Sequence, residues 1–345
     1  MKTLLTSLVS LLLLLSFHAA QAQNILRCNN LGVTGTGIFA TAQAAHDAAA
    51  SGDIIYLEPS SQSYGDLICV KPLTIIGNGY LHAQRTPLLT ADPRPSVVDV
   101  VSFRGGSAGS RITGVTILSR MMVNANNIVV ERNRFTGGNG LNIGAEVFAG
   151  FTNVIITTGI IRQNLVETSL TFRMSGGTSV SNMLVDNNII TGNIDGGVSV
   201  NLNGVLISNN VVGNRAGNGG GVIDVDNCVL KNNIVTRATA VVTLRSNAFS
   251  NNLGTGTQFG TASGNQQNVA LSTIFGSATG TETQFEIAVG GPADNTGESG
   301  TDCGAFGGGR PYVLSGQPNV PAIFEYAQTV SGTTLNATIS TRSNR

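Results

Sequence analysis

The chain has 345 residues with 19 basic and 19 acidic side chains, so its formal net charge of zero gives no pull toward nucleic acid or anionic lipid. Only 11% of residues are charged, 44 are glycine and none is tryptophan. Such a composition belongs to low complexity or to a repeat whose turns need positive φ and whose surface is Asn, Ser and Thr, and regular apolar alternation decides for the repeat.

The chain opens with Lys2, an apolar run through Leu11 to Leu15, and the small-x-small pattern Ala20-Gln21-Ala22. Residues 1–22 therefore read as a secretory signal peptide cleaved near Ala22, which delivers the protein to the periplasm or beyond. The apolar run is shorter than the roughly 20 residues that span a bilayer, so no membrane span is expected. Cys28 follows Ile25-Leu26-Arg27, with Arg where lipoprotein sites carry a small residue. The four cysteines, Cys28, Cys69, Cys228 and Cys303, lack metal-like spacing. Export to an oxidising compartment allows a disulfide, with Cys28 and Cys69 as the expected pair. Cys228 falls at an inward position and reads as a small buried hydrophobe.

Ala40 to Ala50 is Ala-rich and predicts a helix, followed by Gly52-Asp53-Ile54-Ile55-Tyr56-Leu57-Glu58-Pro59 and Lys71-Pro72-Leu73-Thr74-Ile75-Ile76-Gly77. Such a helix would cover the exposed backbone edge of the first coil. Beyond it, six segments align without gaps: Ile128 to Phe135, Gly159 to Val166, Met183 to Ile190, Val205 to Val212, Cys228 to Val235 and Asn247 to Gly254. Their sixth residue is always Asn: Asn133, Asn164, Asn188, Asn210, Asn233 and Asn252, spaced 31, 24, 22, 23 and 19 residues apart. A period of this length predicts a solenoid, one coil per repeat.

Apolar residues alternate before each Asn and resume two residues after it, so two short strands meet at an Asn-marked bend. Val130, Ile161, Val185, Ile207, Leu230 and Phe249 should point inward, followed by Phe135, Val166, Ile190, Val212 and Val235. Asn tolerates left-handed backbone, and its amide can bond the amide one coil away, so these six residues form a structural ladder. A third strand per coil is read in Gly197 to Leu202, Gly221 to Val225 and Val241 to Leu244. Its core residues would be Val200, Leu202, Ile223, Val225, Val242 and Leu244, with Leu141, Ile143, Phe172 and Met174 serving the same role earlier.

The helix cap, the GDIIYLEP entry strand, the KPLTIIGNG coil and the NNI bends together resemble the secreted bacterial right-handed parallel β-helix proteins of the pectin-lyase-like superfamily, over about residues 33 to 255. The segment from Thr301 to Phe324, with Asp302-Cys303-Gly304-Ala305-Phe306 and Pro311-Tyr312-Val313-Leu314-Ser315-Gly316, resembles a tail on such proteins. The expected organisation is an all-β, single-stranded right-handed parallel β-helix over 23–310 including the N-terminal capping helix. An extended C-terminal tail over 311–345 should pack on it.

The resemblance implies polysaccharide binding on one outer sheet, by enzymes that use Arg or Lys as base, Asp or Glu for Ca²⁺, or paired Asp. The Asp-His and Arg-x-Pro-x-x-Arg patterns of pectate lyases are missing, and so is the Gly-His-Gly of polygalacturonases. The best candidate glycan groove is an outward row of Arg173, Asn201, Asn203, Asp224, Asp226 and Arg245, with Asp226 in reach of Arg245. These residues could bind a uronate with Ca²⁺, although a solvated salt-bridge ladder is the preferred account of them and Asp224-Val225-Asp226 supplies too few oxygens for Ca²⁺ by itself. No cofactor is expected beyond that Ca²⁺.

A second outward column, Glu131, Arg162, Asp186, Ser208, Lys231 and Ser250, reads as coil-to-coil pairing. A third, Val129, Ile160, Leu184, Leu206, Val229 and Ala248, is apolar yet outward and should be covered by the tail from Tyr312 to Ile339 or by self-association. The threonines cluster irregularly, as in Thr157-Thr158 and Thr255-Gly256-Thr257, which argues against an ice-binding face. The sequence thus leads to a secreted, non-catalytic protein that binds a glycan or a surface protein. The alternative is a polysaccharide lyase acting on a uronate polymer through Arg173 or Arg245 with Asp224 and Asp226.

Overall fold

The computed structural model describes residues 23–85, 90–144, 155–173, 179–196, 201–243 and 245–342. Met174, Val200 and Leu244 of the expected third strand lie outside them, as does the expected signal peptide. The fold is mostly β and solenoid-like, with an 11-stranded, a 13-stranded and a 3-stranded sheet. Neighbouring strands in these sheets are parallel. Each repeat gives a strand to the first sheet, such as Met183–Asp186, and after the bend a strand to the second, such as Ile189–Ile190.

In the second sheet the strands Ser96–Phe103 and Val115–Val123 are long, whereas later coils make two short strands, Arg134–Phe135 and Gly140–Ile143, where one ran before. The split occurs at Gly137, which passes so close to the coil below that a Cβ would collide with the carbonyl oxygens of Leu118 and Ser119. The second short strand recurs as Leu170–Phe172, Ile194–Asp195 and Ile223–Asp224. Asn201–Asn203 instead pairs with Ser179–Ser181 in the small third sheet. The expected third strand therefore merged two columns: Leu141, Ile143, Phe172 and Ile223 share one, and Leu202 belongs to another.

Val130, Ile161, Val185, Ile207 and Leu230 are fully buried, as are Val166, Ile190, Val212 and Val235. Only Phe249, at the last bend, remains half-buried. The six ladder asparagines are inaccessible to solvent. From Asn164 through Asn252 each Oδ1 accepts the backbone N–H of the ladder Asn one coil below at 2.9–3.0 Å, and Asn133 Oδ1 accepts from Val115 N–H at 3.0 Å. The ladder extends one rung further, since Asn252 N–H donates to Asn265 Oδ1 at 2.9 Å. The left-handed backbone lies one residue earlier than expected, at Arg132, Gln163, Asn187, Asn209, Asn232 and Asn251, with φ of 53–56°. Those side chains turn outward.

The capping helix spans Ala42–Ala48, with the Thr41 hydroxyl accepting from Ala44 N–H. Cys28 and Cys69 are both free, correcting the expected disulfide. Their thiols point to different backbone carbonyls, Thr41 and Lys71. Cys228 is buried, and burial pushes its thiol up to about 12.

From Thr296 the chain runs back along the stack over the left-handed residues. Asn251 Nδ2 donates to Thr296 O at 3.2 Å, Asn187 Nδ2 to Ala305 O at 2.8 Å, Gln163 Nε2 to Pro311 O at 2.7 Å, and Arg132 Nη1 to Gln317 O at 3.0 Å. The returning chain covers Leu165, Ile189, Val211, Ile234 and Leu253, which form a second apolar cluster with Tyr80, Phe285, Cys303, Ala305 and Tyr312. Gly304, at φ 85°, is needed there because a Cβ would meet Ile234 Cδ1 at 2.6 Å. This covering segment mostly precedes the expected tail of 311–345, and it lies over a different stripe from the one expected to be covered. Val129, Ile160, Leu184 and Leu206 stay half-buried, and Val229 and Ala248 are exposed. The chain then ends in an antiparallel hairpin, Ala322–Ser331 with Thr334–Arg342.

Candidate functional site

The outer face of the second sheet carries the groups that can meet a polar ligand. Ser102, Met122, Asn142, Thr171, Asp195 and Asp224 are register partners from coil to coil and form one column along it. At the parallel-strand spacing of roughly 4.8 Å, this column extends over about 24 Å.

The first half of the column, Ser102, Met122 and Asn142, is buried, and basic side chains flank it. Arg120 and Arg173 are exposed and, with Met122, Asn139 and Asn142, line a cleft of about 90 Å³. Arg173 Nε donates to Asn142 Oδ1 at 2.8 Å, while Asn142 Nδ2 donates to Asn139 O at 2.7 Å. Asn142 is itself buried, so it holds the exposed Arg173 guanidinium at the rim through Nε. The second half is acidic. Asp195 and Asp224 are register partners, and Arg245 Nη2 donates to Asp224 Oδ1 at 2.6 Å.

The six residues of the predicted groove are therefore only partly together. Arg173, Asp224, Asp226 and Arg245 lie on the second sheet or at its strand exits, but Arg245 pairs with Asp224, while Asp226 Oδ1 is buried without a hydrogen bond. Asn201 and Asn203 stand on the third sheet, where Asn203 Oδ1 accepts from Asn227 Nδ2 at 3.2 Å. Arg120, Asn142 and Asp195 were missed by the sequence reading. Arg120 sits inside the apolar run of the long Val115–Val123 strand, and Asp195 ends a two-residue strand just before the sequence Gly196-Gly197. A strand count that placed two short strands after each bend would have aligned Asn142 with Asp195.

No group of three or more His, Cys, Asp or Glu side chains converges among the described residues in a way that could hold a metal ion. No helix among them is long and apolar enough to cross a membrane.

The second outward column is structural. Glu131 is buried between Arg111 and Arg162, with Arg162 Nε donating to its Oε2 at 2.6 Å. Burial alone would raise the Glu131 carboxyl, but the two guanidinium groups outweigh it and hold it below its usual range. Further along, Ser208 donates to Asp186 at 2.7 Å, and Lys231 reaches out of the column to Glu298 at 2.6 Å.

No protein-family model matches the chain, and no curated protein or solved structure is significantly similar to it.

Proposed function

We propose that this chain is a secreted right-handed parallel β-helix protein of the pectin-lyase-like kind, and that it binds an acidic polysaccharide along the outer face of its second sheet. The observation that carries the proposal is the pair of exposed guanidinium groups, Arg120 and Arg173, at one cleft with Arg173 fixed by the buried Asn142. A planar guanidinium held from behind is preorganised for two-pronged pairing with a carboxylate, and it loses little further rotamer entropy on binding. Beyond the cleft the polymer would meet Thr171, whereas Asp195 and Asp224 would repel a further uronate carboxylate, so the acidic segment is bound at the basic half of the face.

Titration calorimetry with polygalacturonate and with a neutral glucan tests this. The acidic polymer should bind and the neutral one should not. Arg173→Ala and Arg120→Ala should each weaken binding about tenfold, the scale of one lost charge-assisted hydrogen bond of about 1.5 kcal/mol. Equal binding of both polymers, or full affinity in the two variants, would sink the reading. The same mixtures, followed with and without Ca²⁺ for the absorbance of unsaturated products, test for lyase action. Turnover that disappears in Asp226→Ala and Arg245→Ala would replace simple binding by β-elimination.

A further inference from the structure

The C-terminal hairpin is amphipathic in an unusual way. Tyr326 pairs with Ile339, Gln328 with Ala337 and Val330 with Leu335, which puts these six side chains on one face. Between Ile323 and Glu325 the register shifts by one residue, so that Ile323 pairs with Thr341. Thr341 is two residues beyond Ile339, so this bulge brings Ile323 onto the face of Tyr326 instead of the opposite one. The other face holds Glu325, Ala327, Thr329, Ser331, Thr334, Asn336, Thr338 and Ser340. All the large apolar side chains that the hairpin exposes thus stand on a single face.

That face is bare, and increasingly so toward the tip. Exposure rises from 47% at Ile323 through 54% at Tyr326, 56% at Ile339 and 63% at Leu335 to 73% at Val330. Near the base, Ile323 and Tyr326 border a cavity of about 370 Å³ that Tyr56 and Pro59 close from the first coils. The tip has no such neighbour. A two-stranded sheet is marginal on its own in water and needs further strands or a covering layer over its apolar face.

We infer that this face packs against the same face of a second copy, joining two chains through a four-stranded, two-layered sandwich of their hairpins. Three observations favour a second copy over a different partner. The face carries no charge, and the strands Ala322–Ser331 and Thr334–Arg342 hold only Glu325 and Arg342, so two copies bring no like-charge repulsion. A two-stranded layer with one apolar face packs on an identical layer at the usual sheet separation of roughly 10 Å, with each chain giving the same patch. From their exposures, the five large side chains would withdraw roughly 500 Å² per copy, about 1,000 Å² in all, which reaches the lower bound of a specific interface.

The test is sedimentation of the purified full chain over a concentration series up to roughly 100 μM, well above the dissociation constant expected of such an interface. The unaltered chain should reach a dimer, and Val330→Glu with Leu335→Glu should be a monomer at every concentration. Thr329→Lys, on the polar face, should remain dimeric, and far-ultraviolet circular dichroism should be the same for all three. Leu184→Glu with Leu206→Glu, in the half-buried stripe of the first sheet, should also remain dimeric. A monomeric unaltered chain, a dimer that survives the two hairpin glutamates, or a dimer abolished by the stripe variant instead would each overturn the inference.

Discussion

Asn188 shows at the scale of one residue why the ladder cannot be diluted. Its Oδ1 accepts from both the backbone N–H and Nδ2 of Asn164, while its Nδ2 donates to Ile161 O and Asn210 Oδ1. Every partner is buried, so Asn188→Ala strands donors and acceptors in the coils on both sides. The expected loss is about 3 kcal/mol, read as a lower urea midpoint at unchanged slope, and a loss under about 1 kcal/mol would mean that water replaces the amide. The recurrence of Asn in the aligned segments made this role legible. The left-handed position was not legible in the same way, because Arg132, Gln163, Asn187, Asn209, Asn232 and Asn251 share a backbone angle rather than a residue type. Among residues other than glycine Asn tolerates that angle well, and it fills four of these six positions.

The returning segment shows what a single element contributes. Leu165, Ile189, Val211, Ile234 and Leu253 follow directly on the ladder asparagines and look outward, yet all are fully buried, because residues 293–312 and the loops before them lie on top. Each side chain returned to water forfeits roughly 1.5–3 kcal/mol. A chain ending at Asn295 should therefore lose more than about 5 kcal/mol, enough to unfold a domain of ordinary stability, and should be recovered only as aggregate. A chain ending at Val320 should stay soluble and keep its circular dichroism, since it lacks only the hairpin. Comparable soluble yield from both truncations would show that the segment is dispensable. The covering segment mostly precedes the tail of 311–345 expected from the sequence, and it lies over a different stripe from the one expected to be covered. Both stripes alternate with equal regularity, and the selection between them lies in contacts remote in sequence, the apolar cluster and the hydrogen bonds from Asn251, Asn187, Gln163 and Arg132.

For the whole molecule, two buried carboxylates respond to pH in opposite senses. Glu131 lies below its usual range in the folded chain, so its contribution is present at neutral pH and is lost as pH falls through that lowered value. Glu282 takes the hydroxyl of Tyr312 at 2.7 Å and the N–H of Ser315 at 2.8 Å. Burial pushes its carboxyl up, and the hydrogen bonds and Arg85 offset this only in part. The native chain then holds the Glu282 proton where the unfolded chain has released it, so stability declines as pH rises from the ordinary carboxylate range through the raised value, and is level above it. Hydrogen exchange of residues 303–316, corrected for its intrinsic rate, should be faster at pH 8 than at pH 5, and Glu282→Gln should remove that difference. An unchanged difference in the variant would assign the effect elsewhere.

The coil is legible in the amino-acid order: the inward residues, the bend and the Asn ladder repeat at one register, and local alternation suffices to read them. The same order also locates the capping helix, to within two residues at each end. The tertiary structure alone decided how the columns combine. It separated Asn201 and Asn203 from Asp224, gave Arg245 to Asp224 and brought Arg120 beside Arg173 through Asn142. The physical reason is that pairing between coils depends on the length of every intervening turn, and these turns vary in length from repeat to repeat. A column of outward side chains is thus set by the winding of the whole chain, whereas the inward face is set by each strand alone.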